Sequence, residues 1–214
     1  MGQTMREQVN GRQPNRTASR AAGVTANAGE LLEADEVGHG GYYEIVIELG
    51  AHSRDRLLAA FDALWTHTDL APVEAKAGML RRRGKARLPD GALVPVLAFT
   101  ETMRDQQGQT DYLIFALPMP ALEKACSLVA DMTPAGGLDP HWRRDLEAWL
   151  AGLGHHVDGS VSFQAAYIGF LPFPIGDVET AAHLFAGGIP AERCVAYLYR
   201  RDAALEFFPT TRWS

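Results

Sequence analysis

Cysteine is nearly absent: Cys126 and Cys194 are the only two in the chain. So few exclude a disulfide framework or a cysteine-rich zinc site, and they are what a reducing cytoplasm allows. Long apolar runs are missing as well. None approaches the ~20 residues that cross a bilayer, and no apolar stretch follows the first charges at the amino terminus. These absences predict a soluble, unexported, cytoplasmic protein without membrane contact. An excess of positive charge is the third thing lacking. The formal net charge is −6, so no global field attracts nucleic acid, which becomes a disfavoured partner.

The familiar catalytic and cofactor motifs fail one by one. Gly78-Met-Leu-Arg-Arg-Arg-Gly84-Lys85-Ala86 resembles a phosphate loop, but it has one residue too many between its glycines. Ala86 also stands where a hydroxyl should reach magnesium. Gly38-His-Gly40-Gly41 lacks the last glycine of a dinucleotide fingerprint and precedes the first strand instead of following one. Asp158-Gly-Ser160-Val161 lacks the glycines of a nucleophile elbow, and no His-Glu-x-x-His helix occurs. No cofactor is therefore expected.

What is present reads as one folded unit behind a tail. Residues 1 to 41 hold Arg6, Arg12, Arg16 and Arg20 among small and polar residues, with too little apolar surface to offset ordering. This segment is expected to be a poorly ordered tail, and residues 42 to 214 a single α+β domain. With 47% hydrophobic residues in a chain of 214, one sizeable core is possible.

Tyr43, Ile45, Ile47 and Leu49 alternate with Glu44, Val46 and Glu48, which predicts a half-buried strand with the glutamates on its wetter face. Ser53 is placed to cap a helix carrying Leu57, Phe61, Leu64 and Trp65 on one side. The stretch from Pro72 to Gly91 loses this periodicity among Arg81, Arg82, Arg83, Lys85 and Arg87 and is expected to be a loop or an edge hairpin. Strands follow over 92–101 and 111–117, joined as an antiparallel hairpin by the polar connector 104–109.

A helix carrying Leu122, Cys126 and Val129 comes next, and a second starts at Asp139-Pro140 with the stripe Trp142, Leu146, Trp149, Leu150 and Leu153. Val161 to Phe173 is the longest mainly apolar run outside a helical pattern. It alternates at first and is then dry on both faces, which predicts a central strand ended by Pro172 and Pro174. Asp177 is placed to cap a short helix carrying Phe185. Strands over 194–199 and 204–208 close the chain, with a turn at Arg200-Arg-Asp202 between them.

Strand, helix, strand, strand is the order in both 42–117 and 160–209. The expected architecture is therefore two βαββ units, ferredoxin-like in their elements, joined by a helix pair over 119–153, with mixed or antiparallel sheets packed against helices.

The candidate site residues form three groups. His156 and Asp158, in the cluster His155-His156-Val157-Asp158, offer an imidazole and a carboxylate for metal or acid/base chemistry, although the ligand set is incomplete and a solvated helix end is the better explanation. Arg81, Arg82, Arg83, Lys85 and Arg87 make a local positive field suited to an acidic partner. Tyr167, Tyr197 and Tyr199, with Tyr42, are placed to line an aromatic groove between the two halves. Cys126 and Cys194 read as buried structural thiols.

Failure of every catalytic motif favours a non-enzymatic protein that recognises another protein, of a regulatory or toxin-neutralising type. A small-molecule binder using the tyrosines is the first alternative. A hydrolase-type or metal-dependent enzyme using His156 and Asp158 is the second.

Overall fold

The computed structural model describes residues 41–73, 80–104, 108–125, 141–170 and 185–212. Within them lie the strands β1 (Tyr42–Ala51), β2 (Leu70–Pro72), β3 (Arg81–Arg87), β4 (Leu93–Arg104), β5 (Gln109–Pro118), β6 (Ala165–Phe170), β7 (Ala196–Arg201) and β8 (Ala204–Phe208). The helices are α1 (Arg54–Trp65), α2 (Met119–Ala125) and α3 (His141–Asp158). The expected tail, the helix from Asp177 and the helical positions Cys126 and Val129 lie outside the described residues, as do Asp139-Pro140 and the prolines after β6. No described helix is long and apolar enough to cross a membrane.

All eight strands form one sheet in the order β2-β3-β4-β5-β1-β6-β7-β8. Every neighbouring pair is antiparallel. This overturns the expectation of two βαββ units joined by a helix pair. A ferredoxin-like unit needs the strand after its helix to return parallel to the first in the same sheet. Here the chain leaves β1, crosses one face of the sheet as α1, and lands at the far edge as β2. It then returns by three hairpins until β5 lies against β1. The other edge of β1 takes β6, from which β7 and β8 continue as a meander. Because β1 serves both halves, no second unit closes on itself.

Local sequence explains most of these elements. The Ser53 side chain accepts a hydrogen bond from the Arg56 amide, satisfying one orphan donor of α1. The turn between β3 and β4 passes through Gly91 at φ +87°, a backbone conformation that favours glycine. The run from Val161 is strand only from Ala165 to Phe170, and it is internal to the sheet as predicted, paired on both sides.

Alternation along β1 sends side chains to two different interiors. Tyr43, Ile45, Ile47 and Leu49 meet α1 through Leu57, Phe61 and Leu64, and α3 through Leu146, Leu150 and Leu153. Fully burying one such side chain stabilises the fold by about 1.5–3 kcal/mol before entropy is counted. On the opposite face, Tyr42 and Val46 join Leu97, Phe99, Tyr112, Ile114, Ala116, Ala165 and Tyr167, with Phe185 against them. Among the described residues no helix packs on this second face. It is buried nonetheless, so Glu44 and Glu48 are not on a wet side, contrary to the sequence expectation.

Two glycines report how closely the helices seat. A Cβ on Gly84 would come within 2.4 Å of the Trp65 ring and 2.7 Å of the Ala71 carbonyl oxygen, and a backbone atom cannot yield cheaply. Gly152, inside α3, has open space around that position. Gly84→Ala is expected to destabilise the protein by about 1–3 kcal/mol through overpacking. Gly152→Ala should instead stabilise it by ~0.5–1 kcal/mol by removing a flexible residue from a helix. Urea unfolding of the two variants beside the parent checks both signs.

Candidate functional site

His156 and Asp158 are neighbours in sequence but do not converge. The His156 Nε2 atom lies 2.9 Å from Thr66 Oγ1 and 3.1 Å from the Ala63 carbonyl oxygen. That carbonyl only accepts, and the Thr66 hydroxyl already donates to it at 2.7 Å. Nε2 must therefore carry the proton, tying α3 to the end of α1. The His67 ring meets His156 edge to face at 5.1 Å. Burial holds the His67 pKa below its ordinary value, and His156 adds to the lowering against the opposing pull of Asp69. Asp158 instead pairs with the Arg200 guanidinium and accepts from the Phe163 amide at 3.3 Å, joining the end of α3 to the β6 and β7 region. Each of these two residues is occupied in holding elements together.

The basic run is a strand, not a loop, one place in from the sheet edge. Its side chains divide between the faces. Arg82 turns towards α1, with its guanidinium 5.2 Å from the Phe61 ring centre, 5.6 Å from that of Trp65 and 3.8 Å from Asp62 Oδ1. Arg81, Arg83, Lys85 and Arg87 form the alternate row on the helix-free face. Arg81 lies over Phe99 at 5.9 Å. Burial raises the nearby Glu101 pKa, and Arg81 opposes that rise. Among the described residues, no ion pair or side-chain hydrogen bond engages Arg83, Lys85 or Arg87.

Tyr167, Tyr197 and Tyr199 do come together, although on one sheet and not between two. Tyr167 and Tyr197 are cross-strand partners with rings 5.9 Å apart, while Phe185 lies 5.1 Å from Tyr197 and 4.3 Å from Tyr199. Tyr167 Oη donates to Glu48 Oε2 at 3.2 Å. Tyr42 stands on the same face of β1. Cys194 is exposed just ahead of β7, so its reading as a buried thiol does not hold.

Two further groups went unnoticed in the sequence. Asp111 is completely buried and accepts from the Thr102 hydroxyl at 2.6 Å and the Ser53 amide at 2.7 Å, with His52 Nδ1 at 2.8 Å. Carboxylate and imidazole stand as in an oriented acid/base pair, but the same bonds pin the start of α1 to β4 and β5. Burial alone would raise the Asp111 pKa. The bonds from Thr102, His52 and Ser53 outweigh it and hold the group below the ordinary carboxylate value. Glu147, also fully buried, is satisfied by Tyr43 Oη at 2.9 Å, Arg143 Nε at 3.1 Å and Thr210, which fastens the chain end to α3.

Glu44 is the exception among the buried acids. Only 7% of its surface is exposed, yet among the described residues no hydrogen bond or ion pair engages it. Burial pushes its pKa up to about 8, with no cation to offset the rise. Beside it on the same face, the Tyr42 hydroxyl is buried without a partner too. Most buried polar atoms in proteins are hydrogen-bonded, so the Tyr42 hydroxyl, with the unpartnered acid beside it, is chemically unfinished, as is the Trp65 indole N–H in the core beneath α1.

No family model, curated protein or solved structure matches this chain.

The two acids titrate with opposite consequences. Asp111 has a depressed pKa, so its stabilisation is present above the unfolded carboxylate value of 3.8 and is lost as pH falls through the folded one. Asp111→Asn should cost about 2 kcal/mol or more at pH 7 and flatten the acid limb of stability against pH, read by denaturation from pH 2 to 7. Glu44 runs the other way. Its stabilising effect holds below the ordinary value of 4.5 and fades as pH rises to about 8, because the unfolded chain releases the proton first. Glu44→Gln should gain stability over the parent across that interval, measured as the difference in midpoint at each pH.

Proposed function

We propose that this chain is a non-enzymatic binding protein that recognises an acidic surface of another protein, regulating or neutralising it. The observation supporting this reading is the row Arg81, Arg83, Lys85 and Arg87 on the helix-free face of β3. In a chain of net charge −6, cations are not in surplus. A strand that gathers them on one face and leaves the last three without an internal partner sustains a local field out of keeping with the whole. Such a field raises the encounter rate with a negatively charged partner and fixes its orientation. Lys85 and Arg87 are exposed and Arg83 is partly so, leaving their charged ends within reach. The row lacks the interleaved aromatic platforms that single-stranded nucleic acid binders use, which favours protein over nucleic acid.

A small molecule held by the tyrosines is the second reading, favoured by the partly exposed rings of Tyr197 and Tyr199 at one end of the same face. The enzymatic reading is not carried forward, since His156 and Asp158 are spent on contacts between elements.

The test is a comparison of the parent with Arg83→Glu/Lys85→Glu/Arg87→Glu. Proteins captured from the source cell by the parent and lost by the triple variant are identified, purified and titrated against both. The expected partner has an acidic surface, and its affinity falls at least ~10-fold on charge reversal and again between 50 and 200 mM salt, as screening of exposed charge requires. Equal affinity for the two proteins would remove the basic row from the interface.

A further inference from the structure

Glu44 projects from the middle of the sheet. In β1 it lies between Tyr42 and Val46 on the helix-free face, with β5 on one side and β6 on the other. The two positions directly across are Ala116 and Gly169, which have almost no side chain. Diagonal neighbours across an antiparallel pair stand roughly 7–8 Å away, within reach of long side chains, and here they include Ile114, Pro118 and Tyr167. The carboxyl thus rises from a small-residue gap in an aromatic and aliphatic surround. On this face Glu48 accepts from Tyr167, and Tyr112, Glu101, Tyr197 and Tyr199 are the further titratable groups on β5, β4 and β7. The cations of the face stand at its outer strands, Arg81, Arg83, Lys85 and Arg87 on β3 and Arg201 on β7, and among the described residues none pairs with Glu44.

Neither protonation state of Glu44 is satisfied by the protein. Ionised, it is a buried charge without a counter-charge, which is costly in an apolar setting. Neutral, it has a hydroxyl to donate and nothing to receive it, because Tyr42 and Glu44 do not bond to each other. A binding group from outside resolves both problems if it brings positive charge and donors. A monatomic ion fits poorly: among the described residues no group of three or more His, Cys, Asp or Glu side chains converges here or elsewhere. An organic cation fits well, because its donors can meet the carboxylate while its apolar body and charge lie against tyrosine rings.

We propose that Glu44, with the Tyr42 hydroxyl beside it, is a receptor site for one alkylammonium or alkylguanidinium group. The site does not depend on the basic row of β3, and either can fail without the other. The cation is carried by a free small molecule or by a lysine or arginine side chain of a partner, and the chemistry at Glu44 is the same in both. Binding must compete with the proton. A cation that holds the carboxylate ionised therefore lowers the pH at which Glu44 titrates and expels a proton near neutrality.

The experiment follows the Glu44 side-chain carboxyl carbon by NMR from pH 5 to 10 in the intact chain, assigned by its loss in Glu44→Gln. Titrations are repeated with n-butylammonium, with methylguanidinium and with the blocked peptide acetyl-Gly-Gly-Arg-Gly-Gly-amide, each against sodium chloride at equal ionic strength. The midpoint should fall by about one pH unit or more at saturation, a tenfold coupling. Tyr42→Phe should weaken the binding that produces the shift. A response to the small cations assigns the site to a free ligand, and a response to the peptide alone assigns it to a partner's side chain. A midpoint unmoved by all three, as expected if a trapped water satisfies the pair, overturns the proposal. So does thermal stabilisation by the cations that persists undiminished in Glu44→Gln, a substitution that removes a buried acid and leaves the fold intact.

Discussion

The pairing of β1 on both its edges is the constraint from which the rest of this structure follows. Once Tyr42–Ala51 accepts β5 on one side and β6 on the other, each half of the chain can only extend outwards from it. The result is a single wide sheet, with β1 inside a layer that has two faces to cover. Helices α1 and α3 cover one of them. The second face must solve its own desolvation problem, and the polar groups of β1 that point into it meet an interior instead of water.

That constraint also separates what could be read in the sequence from what could not. The helices α1 and α3 were legible because apolar residues at helical spacing select one face irrespective of what lies beneath. The strands β1, β4, β5, β7 and β8 were legible because alternation or β-rich composition is a property of the segment alone. The strand β2 was missed because Leu70–Pro72 is too short to show any period. The strand β3 was only half legible, as a loop or an edge hairpin, for a different reason. Its inward positions are Arg82, Gly84 and Ala86, of which only the small Ala86 is an apolar core residue. Yet Arg82 packs its guanidinium on Phe61 and Trp65, and Gly84 is small because Trp65 and the Ala71 carbonyl occupy the space. With β2 overlooked and β3 not counted as a strand of the unit, strand, helix, strand, strand was the pattern left over. Which strands lie side by side is a long-range fact that no local period encodes.

The buried acids show the same limit from the side of function. Charged residues are seldom fully buried, so alternation of Glu44 and Glu48 with aliphatic residues reads naturally as a wet face. In the fold, Asp111, Glu147 and Glu48 each find donors from elements far away in sequence, and their burial is explained by the contacts they fasten. Glu44 has no such explanation. It could be singled out only by accounting for partners atom by atom, since its sequence context is indistinguishable from that of Glu48, four residues further along the same side of the same strand.

The basic row and the orphan acid lie on one face of one sheet, and their spacing decides whether they matter to each other. From β3 to β1 is three strand intervals, or ~14 Å at the usual separation of hydrogen-bonded strands. At that distance, and with burial holding the Glu44 carboxyl protonated up to about pH 8, the basic row and the acid scarcely neutralise one another. The side chains are too short to meet across Phe99 and Ile114, which fill the strands between. The cations, and the acid once ionised, must therefore be balanced locally or by something that arrives. A single partner satisfying both would place an acidic patch over β3 and insert one cationic side chain ~14 Å away at β1. Two separate ligands would satisfy them as well. In either case the helix-free face carries a row of cations and, three strands away, a buried acid that ionises only near pH 8, neither of which the fold's own described contacts require, and this distinguishes it from the face beneath α1 and α3.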